Sequence, residues 1–294
     1  MSRVLWAKVL RDLRWPLLLV GLLLFAFQTL WAKITDRIVN ELLEAFKAQN
    51  INVDFITKVM FKGPGRIIET IMRGEMIHLN NPMEMLTISY VHPFTQIVLC
   101  VWAIGRASGA LAGEMDKGTM ELLLAQPISR RQVVLSHLAV DFVTVPLLCL
   151  FVILGTLTGT KVVGLQNVEL QRFVASLVNI AALLFAVGGY TLALSAMGRL
   201  RWRVMSIALG VTLVQFLLNL LGQLWDVLEP WRPLTVFYYY QPQTIILREK
   251  WTVPIASWWP GGEVNVIVVL LLVGAIGYGV AAAVFARRDI PAPL

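Results

Sequence analysis

Six runs of apolar residues, each near the length needed to cross a bilayer, constrain this chain more than any motif in it. They occupy residues 17–32, 86–105, 133–157, 173–198, 204–224 and 264–286. A helix of about 20 apolar residues spans the hydrocarbon layer. Lipid offers no partner for a peptide N–H or C=O, so each run has to satisfy its own backbone as a helix, and the runs are too long and too uniformly apolar for the alternating strands of a barrel. Composition agrees: 57% of residues are hydrophobic and 15% charged, where a soluble domain has about 45–50% and about 25%. A soluble enzyme, a disordered tail and a secreted disulfide scaffold are excluded. Cys100 and Cys149 both lie inside apolar runs and read as small buried hydrophobes. The expected fold is all-α, a polytopic membrane protein with residues 1–294 as one transmembrane domain.

Ahead of the first run, residues 2–15 read as an amphipathic interface helix, with Trp6, Leu10 and Leu13 on one face and Lys8, Arg11 and Asp12 off it. No small-x-small cleavage site follows Trp31, which argues against a removed signal peptide. Orientation follows from the basic residues. With the N-terminus inside, segments 1–16, 106–131, 199–203 and 287–294 hold 13 Lys/Arg against 5 Asp/Glu, and the other side is balanced. The positive-inside rule then places both termini in the cytoplasm. These charges flank helix ends in small clusters and form no stripe able to follow a phosphate backbone, so the bilayer is the expected partner and nucleic acid is not.

Two longer segments face outward in this frame. Segment 33–83 begins with Ile34, Ile38, Leu42, Leu43 and Phe46 at helical spacing, then carries turn signals at Gly63-Pro64-Gly65 and Asn80-Asn81-Pro82. Segment 225–263 crowds Trp225, Trp231, Trp251, Trp258 and Trp259 with Tyr238, Tyr239 and Tyr240 between prolines. Aromatic rings favour the interface, so this segment is expected to dip into the headgroup layer as short helices.

Segment 106–131 is the most informative. Gly118 and Thr119 can start a short helix, Met120 to Ala125 supply about two apolar turns, and Pro127 stops it. Ser129 and Gln132 stand in capping-box spacing at the head of the third span. The apolar trio Leu122, Leu123 and Leu124 beside Glu121 is too short to span a bilayer and suits a protein-docking surface.

The run from Glu114 to Arg131, with Glu, then Gly-Thr, a leucine-rich turn and Pro-x-Ser-Arg, resembles the cytoplasmic signature of ABC-2-type transport permeases, the membrane subunits of transporters with a separate ATPase. The basic N-terminal helix, six spans, the Tyr- and Pro-rich outer segment and the terminal Phe-Ala-Arg-Arg-Asp at 285–289 extend the likeness over the chain. Segment 33–83 is longer than a minimal member needs. The resemblance implies a permease subunit that couples ATP hydrolysis by a partner to export of an unidentified substrate. It further implies two ATPase copies, a second permease subunit of the same or another kind, and a bacterial or archaeal plasma membrane. Carried over by position, the ATPase-docking residues are Glu114, Asp116, Gly118, Thr119, Glu121, Leu122, Leu123, Pro127, Ser129, Arg130 and Arg131, aided by the helix from Arg3 to Arg14. The alternative from another class is an ATP-independent membrane assembly or anchoring protein.

No Gly-x-x-x-x-Gly-Lys-Ser/Thr occurs, so ATP and Mg belong to the partner and no cofactor is expected in this chain. His137 and Asp141 share a face of the third span at i, i+4, either as a gate or as a structural pair with Arg106 as partner. Thr212, Gln215, Asn219 and Gln223 form a stripe on the fifth span that either joins it to a neighbour or lines a path. Gly274, Gly277, Gly279 and Ala283 on the sixth span read as close helix packing.

Overall fold

Caps and prolines, more than the ends of the apolar runs, set where the helices begin and end. A computed structural model describes residues 3–42, 45, 48, 78, 80–255 and 261–288. Six helices in it are long and apolar enough to cross a membrane. The interface helix and first span, expected as two pieces, form one helix, α1 (Arg3–Asp36), which passes through Pro16 and ends in a π-helical turn, Arg37–Leu42. Pro16 withdraws one N–H from the helix. The carbonyl left over, that of Asp12, sits among exposed Lys8, Arg11 and Arg14, where water can take it. Leu43, Phe46 and the Gly63-Pro64-Gly65 turn lie outside the described residues, whereas Asn81 caps the next helix by accepting from Met83 and Glu84 N–H.

The second span is broken. Helices α2 (Pro82–Val91) and α3 (Pro93–Ala110) meet at His92, which Pro93 forces into an extended conformation, φ −60°, ψ 136°. Carbonyls freed inside a membrane need other donors. Thr95 Oγ1 donates to Ser89 O at 2.7 Å, Tyr240 Oη to Tyr90 O at 2.7 Å and Gln96 Nε2 to Val91 O at 2.5 Å. Two short helices follow, α4 (Ala112–Asp116) and α5 (Met120–Leu124), then the long spans α6 (Arg130–Val163), α7 (Leu170–Met197) and α8 (Arg201–Leu224). Ser129 and Gln132 form the capping box of α6, and Gly164, at φ 71°, closes it in the left-handed conformation.

After α8 come two 3-10 turns, Glu229–Leu234 and Val236–Tyr239, helix α9 (Pro242–Arg248), a hairpin pairing β1 (Thr252–Pro254) with β2 (Glu263–Asn265), and the last span, α10 (Val266–Arg287). The segment expected at headgroup level forms short helices that pack against the bundle, with Phe237, Tyr240, Ile245 and Ile246 buried. Trp225 and Trp231 stay exposed, while Trp258 and Trp259 lie outside the described residues.

Small residues bring the spans together in pairs. On α6, a Cβ at Gly155 would lie 2.5 Å from Phe25 O, so α1 and α6 touch backbone to backbone. On α10, a Cβ at Gly277 would lie 2.3 Å from the carbonyl carbon of Gly189, and one at Gly189 only 2.5 Å from Gly274 O. The α7–α10 pair is therefore seated on glycine. Gly279 and Ala283 take no part: nothing lies within 4 Å of a Cβ at Gly279, and Ala283 is exposed. They occupy another face of α10, which the shared composition of the glycine run conceals.

Candidate functional site

The turn from α3 into α4 is held by a hydroxyl from a distant helix. Ser195, fully buried near the end of α7, accepts from Leu111 N at 3.3 Å and Ala112 N at 2.9 Å and donates to Ser108 O at 3.1 Å. One side chain thus satisfies the N–H groups that the start of a helix leaves open. Gly118, at φ 68°, then reverses the chain in a conformation that a side chain resists. Thr119 closes the turn, its N–H meeting Glu114 O at 3.0 Å and its hydroxyl donating to Glu114 Oε2 at 2.6 Å.

Helix α5 is too short to hold itself and depends on what it buries. Met120 is 1% exposed among Leu111, Val133, Val134 and Phe285, with Leu123 and Leu124 packed partly against the same cluster. Leu122 points the other way and is 71% exposed. Asp116, Gly118, Glu121, Pro127, Ser129 and Arg131 are likewise exposed, whereas Glu114, Thr119, Leu123 and Arg130 are half-buried. The residues singled out from sequence therefore divide into an outer surface and the supports beneath it.

Three arginines fix this platform to the spans. Arg201 donates through Nη2 to Gly105 O at 3.1 Å and its N–H meets Asp116 Oδ2 at 3.4 Å, its side chain lying along Gly109 and Gly113. Arg130 donates to the carbonyls of Arg288 and, at 3.5 Å, Phe285. Arg288 Nη1 donates to Ala196 O at 2.6 Å and Gly198 O at 2.9 Å. Burial, and then the charge of Arg199, hold the Arg288 guanidinium below its usual range.

Inside the bundle, Asp141 accepts from Arg106 and from the Tyr278 hydroxyl, and Arg106 also donates to His137 O at 2.7 Å. Arg106, one of the charges credited to the helix flank, is 8% exposed and belongs to this cluster. A carboxylate and a guanidinium buried together satisfy each other, and this joins α3, α6 and α10.

The stripe on α8 also finds partners. Thr212 Oγ1 lies 2.5 Å from Tyr190 Oη, Gln215 Oε1 accepts from Val236 N at 3.1 Å, Asn219 Oδ1 accepts from Arg232 Nε at 3.4 Å, and Gln223 Nε2 donates to Asn219 O at 3.1 Å. Gly222 leaves the space Arg232 occupies, since a Cβ there would lie 2.5 Å from Arg232 Cγ. Burial lowers the Arg232 pKa, with Tyr238 and Glu229 opposing. Gln215 and Asn219 join α8 to the 229–236 turns, whereas Gln223 bonds within α8.

Sequence reasoning missed Ser195, Arg201, Arg288 and Tyr278. Arg288 had a signal, the terminal Arg-Arg pair, and Arg201 lay among the flanking charges; nothing local distinguishes Ser195 or Tyr278 from other polar residues in apolar runs. Among the described residues no group of three or more His, Cys, Asp or Glu is placed to hold a metal ion. None of the curated proteins matches the chain. The family described as ABC-2 family transporter protein matches residues 7–290, nearly the whole length, and six apolar helices make the protein an integral multi-pass membrane protein. The chain belongs to the ABC-2 family of transporter proteins.

Proposed function

We propose that this chain is the permease subunit of an ABC transporter whose ATP is hydrolysed by a separate nucleotide-binding subunit, with two permeases and two ATPases moving an unidentified substrate out across the plasma membrane. One observation carries the reading. Leu122 stands 71% exposed on a short helix whose other side is anchored through buried Met120. A large apolar side chain held outward on a fixed support is suited to enter a partner's cleft, where full burial contributes about 1.5–3 kcal/mol.

In this reading Asp116, Gly118, Glu121, Leu122, Pro127, Ser129 and Arg131 form the contact surface, and Glu114, Thr119, Leu123 and Arg130 shape it from within. The basic residues of α1, Lys8, Arg11 and Arg14, are exposed, and in this reading they add positive charge on the cytoplasmic side. The excess of Lys and Arg at this end supports a cytoplasmic location for it and for both termini. ATP and Mg bind in the partner. Asp141 and the α8 amides serve as joints between helices.

The experiment is purification of the tagged permease with the ATPase encoded beside it, followed by hydrolysis measurements on each alone and together. Recovery of a complex whose hydrolysis depends on both proteins supports the permease. A permease that recovers no ATPase and leaves hydrolysis unchanged overturns it in favour of an ATP-independent anchoring protein.

A further inference from the structure

The bonds around the short helices close into a ring that chain order does not require. By covalent connection α4 and α5 join only α3 and α6. Through side chains they also reach α7 and α10. Ser195 of α7 takes the N–H groups of Leu111 and Ala112 at one end of the platform. Arg130, the first residue of α6, takes the carbonyls of Phe285 and Arg288 at the other end. Arg288 closes the ring on Ala196 and Gly198, the last turn of α7 and the residue after it.

The two helices so reached are the pair seated on Gly189 and Gly277, where a Cβ would meet backbone of the other helix at 2.5 and 2.3 Å. Backbones in such contact cannot slide separately without opening a void, so α7 and α10 move together. Met120 is buried in the same apolar cluster as Phe285 of α10 and Ala196 and Leu192 of α7. Arg288 is an unusual residue to find there. Its guanidinium is partly desolvated and lies near Arg199, and among the described residues no carboxylate pairs with it. What it has instead is two carbonyls from the end of α7, both accepting from its single Nη1 amino group.

We infer that Arg288 is a positioning residue for transport: it passes displacement of the platform from the start of α6 to the α7–α10 pair, so that these two spans, and not only α3 and α6, shift when a partner presses on Leu122. The inference rests on the functional reading above, and its test separates the two. In nanodiscs, the permease–ATPase complex carries nitroxide pairs at exposed positions, Leu135 of α6 with Ile276 of α10, and Val101 of α3 with Leu135. ATP with vanadate is expected to change both distances in the wild type. In Arg288→Ala the Leu135–Ile276 change is lost while the Val101–Leu135 change and ATPase capture persist, and Arg288→Lys, which keeps donors for the two carbonyls, restores it. A structural role alone would not show this split. If Arg288→Ala is not recovered folded, Arg288→Gln is read the same way. A Leu135–Ile276 change that survives in the substituted, ATPase-bound complex overturns the route; a wild type that binds no ATPase overturns the functional reading and the route with it.

Discussion

The two ends of the bundle use the same material, short helical turns between long spans, and finish it in opposite ways. At the 225–248 end the second turn and α9 go inward, although Trp225, Val227, Trp231 and Leu234 before them stay exposed. Phe237, Tyr240, Ile245 and Ile246 are buried, and the backbone is met by span side chains, Asn179 donating to Tyr239 O at 2.9 Å and accepting from Gln241 N at 2.7 Å. At the 111–131 end a single side chain of α5, Met120, is fully inside, and Leu122 is left out. A connection that buries its large side chains closes the bundle, whereas one that buries only its supports presents a surface. The two ends differ in what their short turns bury, since Leu234 at one end is as exposed as Leu122 at the other while Phe237 and Tyr240 are fully inside.

The comparison is easiest to break at the closed end. Tyr240 is fully buried with its hydroxyl on Tyr90 O at 2.7 Å. Tyr240→Ala is expected to cost about 3–5 kcal/mol, the range for removing a buried aromatic side chain, read as a lowered unfolding midpoint in detergent. A midpoint like that of the wild type would mean that the segment is not a plug. Asn179→Ala, which leaves Tyr239 O and Gln241 N without partners, is expected to cost about 1–3 kcal/mol by the same measurement. At the open end effects on stability shrink. Gly118→Ala strains a residue at φ 68° where nothing lies within 4 Å of the new Cβ, so conformational cost alone applies, about 1–2 kcal/mol. Leu122→Asp changes an exposed side chain and is expected to leave the unfolding midpoint within about 0.5 kcal/mol of wild type. A large loss in Leu122→Asp would show that α5 is packed and not presented.

How much of this was legible in the sequence varied with the distance over which each contact acts. Ser129 and Gln132, three residues apart, announced their capping box. The i, i+4 spacing of His137 and Asp141 gave them one face, and of the two roles open to them the pairing with Arg106 is the one seen, as a salt bridge to Asp141. Tyr278, which donates to the same carboxylate from far along the chain, could not be read because nothing local links it to Asp141. Pro93 was visible, yet the break it makes inside an apolar run was not expected, since the donors that make it tolerable, Thr95, Gln96 and Tyr240, are recognised only once folded. The stripe on α8 showed itself by period, whereas its partners Val236 and Arg232 came from a segment expected at the membrane surface. For the platform, spacing identified the residues but not their sides: Leu123 faces partly inward and Leu122 outward, and Arg130, grouped with the contact residues, is spent on the end of α10. An Arg130→Glu variant would therefore disturb the fold as well as any contact, and a clean test has to use other residues.

The most direct measurement of the central claim is capture of the ATPase in detergent by permeases altered only at the exposed residues Glu121 and Leu122. Glu121→Lys and Leu122→Asp are expected to lose the ATPase while eluting as folded, inserted protein with an unchanged unfolding midpoint. Removing one partner of a desolvated charge pair weakens binding by about 2–5 kcal/mol, enough to empty a pull-down. Capture at the wild-type level by both variants would contradict the assignment of the 111–131 platform as the surface through which this permease meets its ATPase.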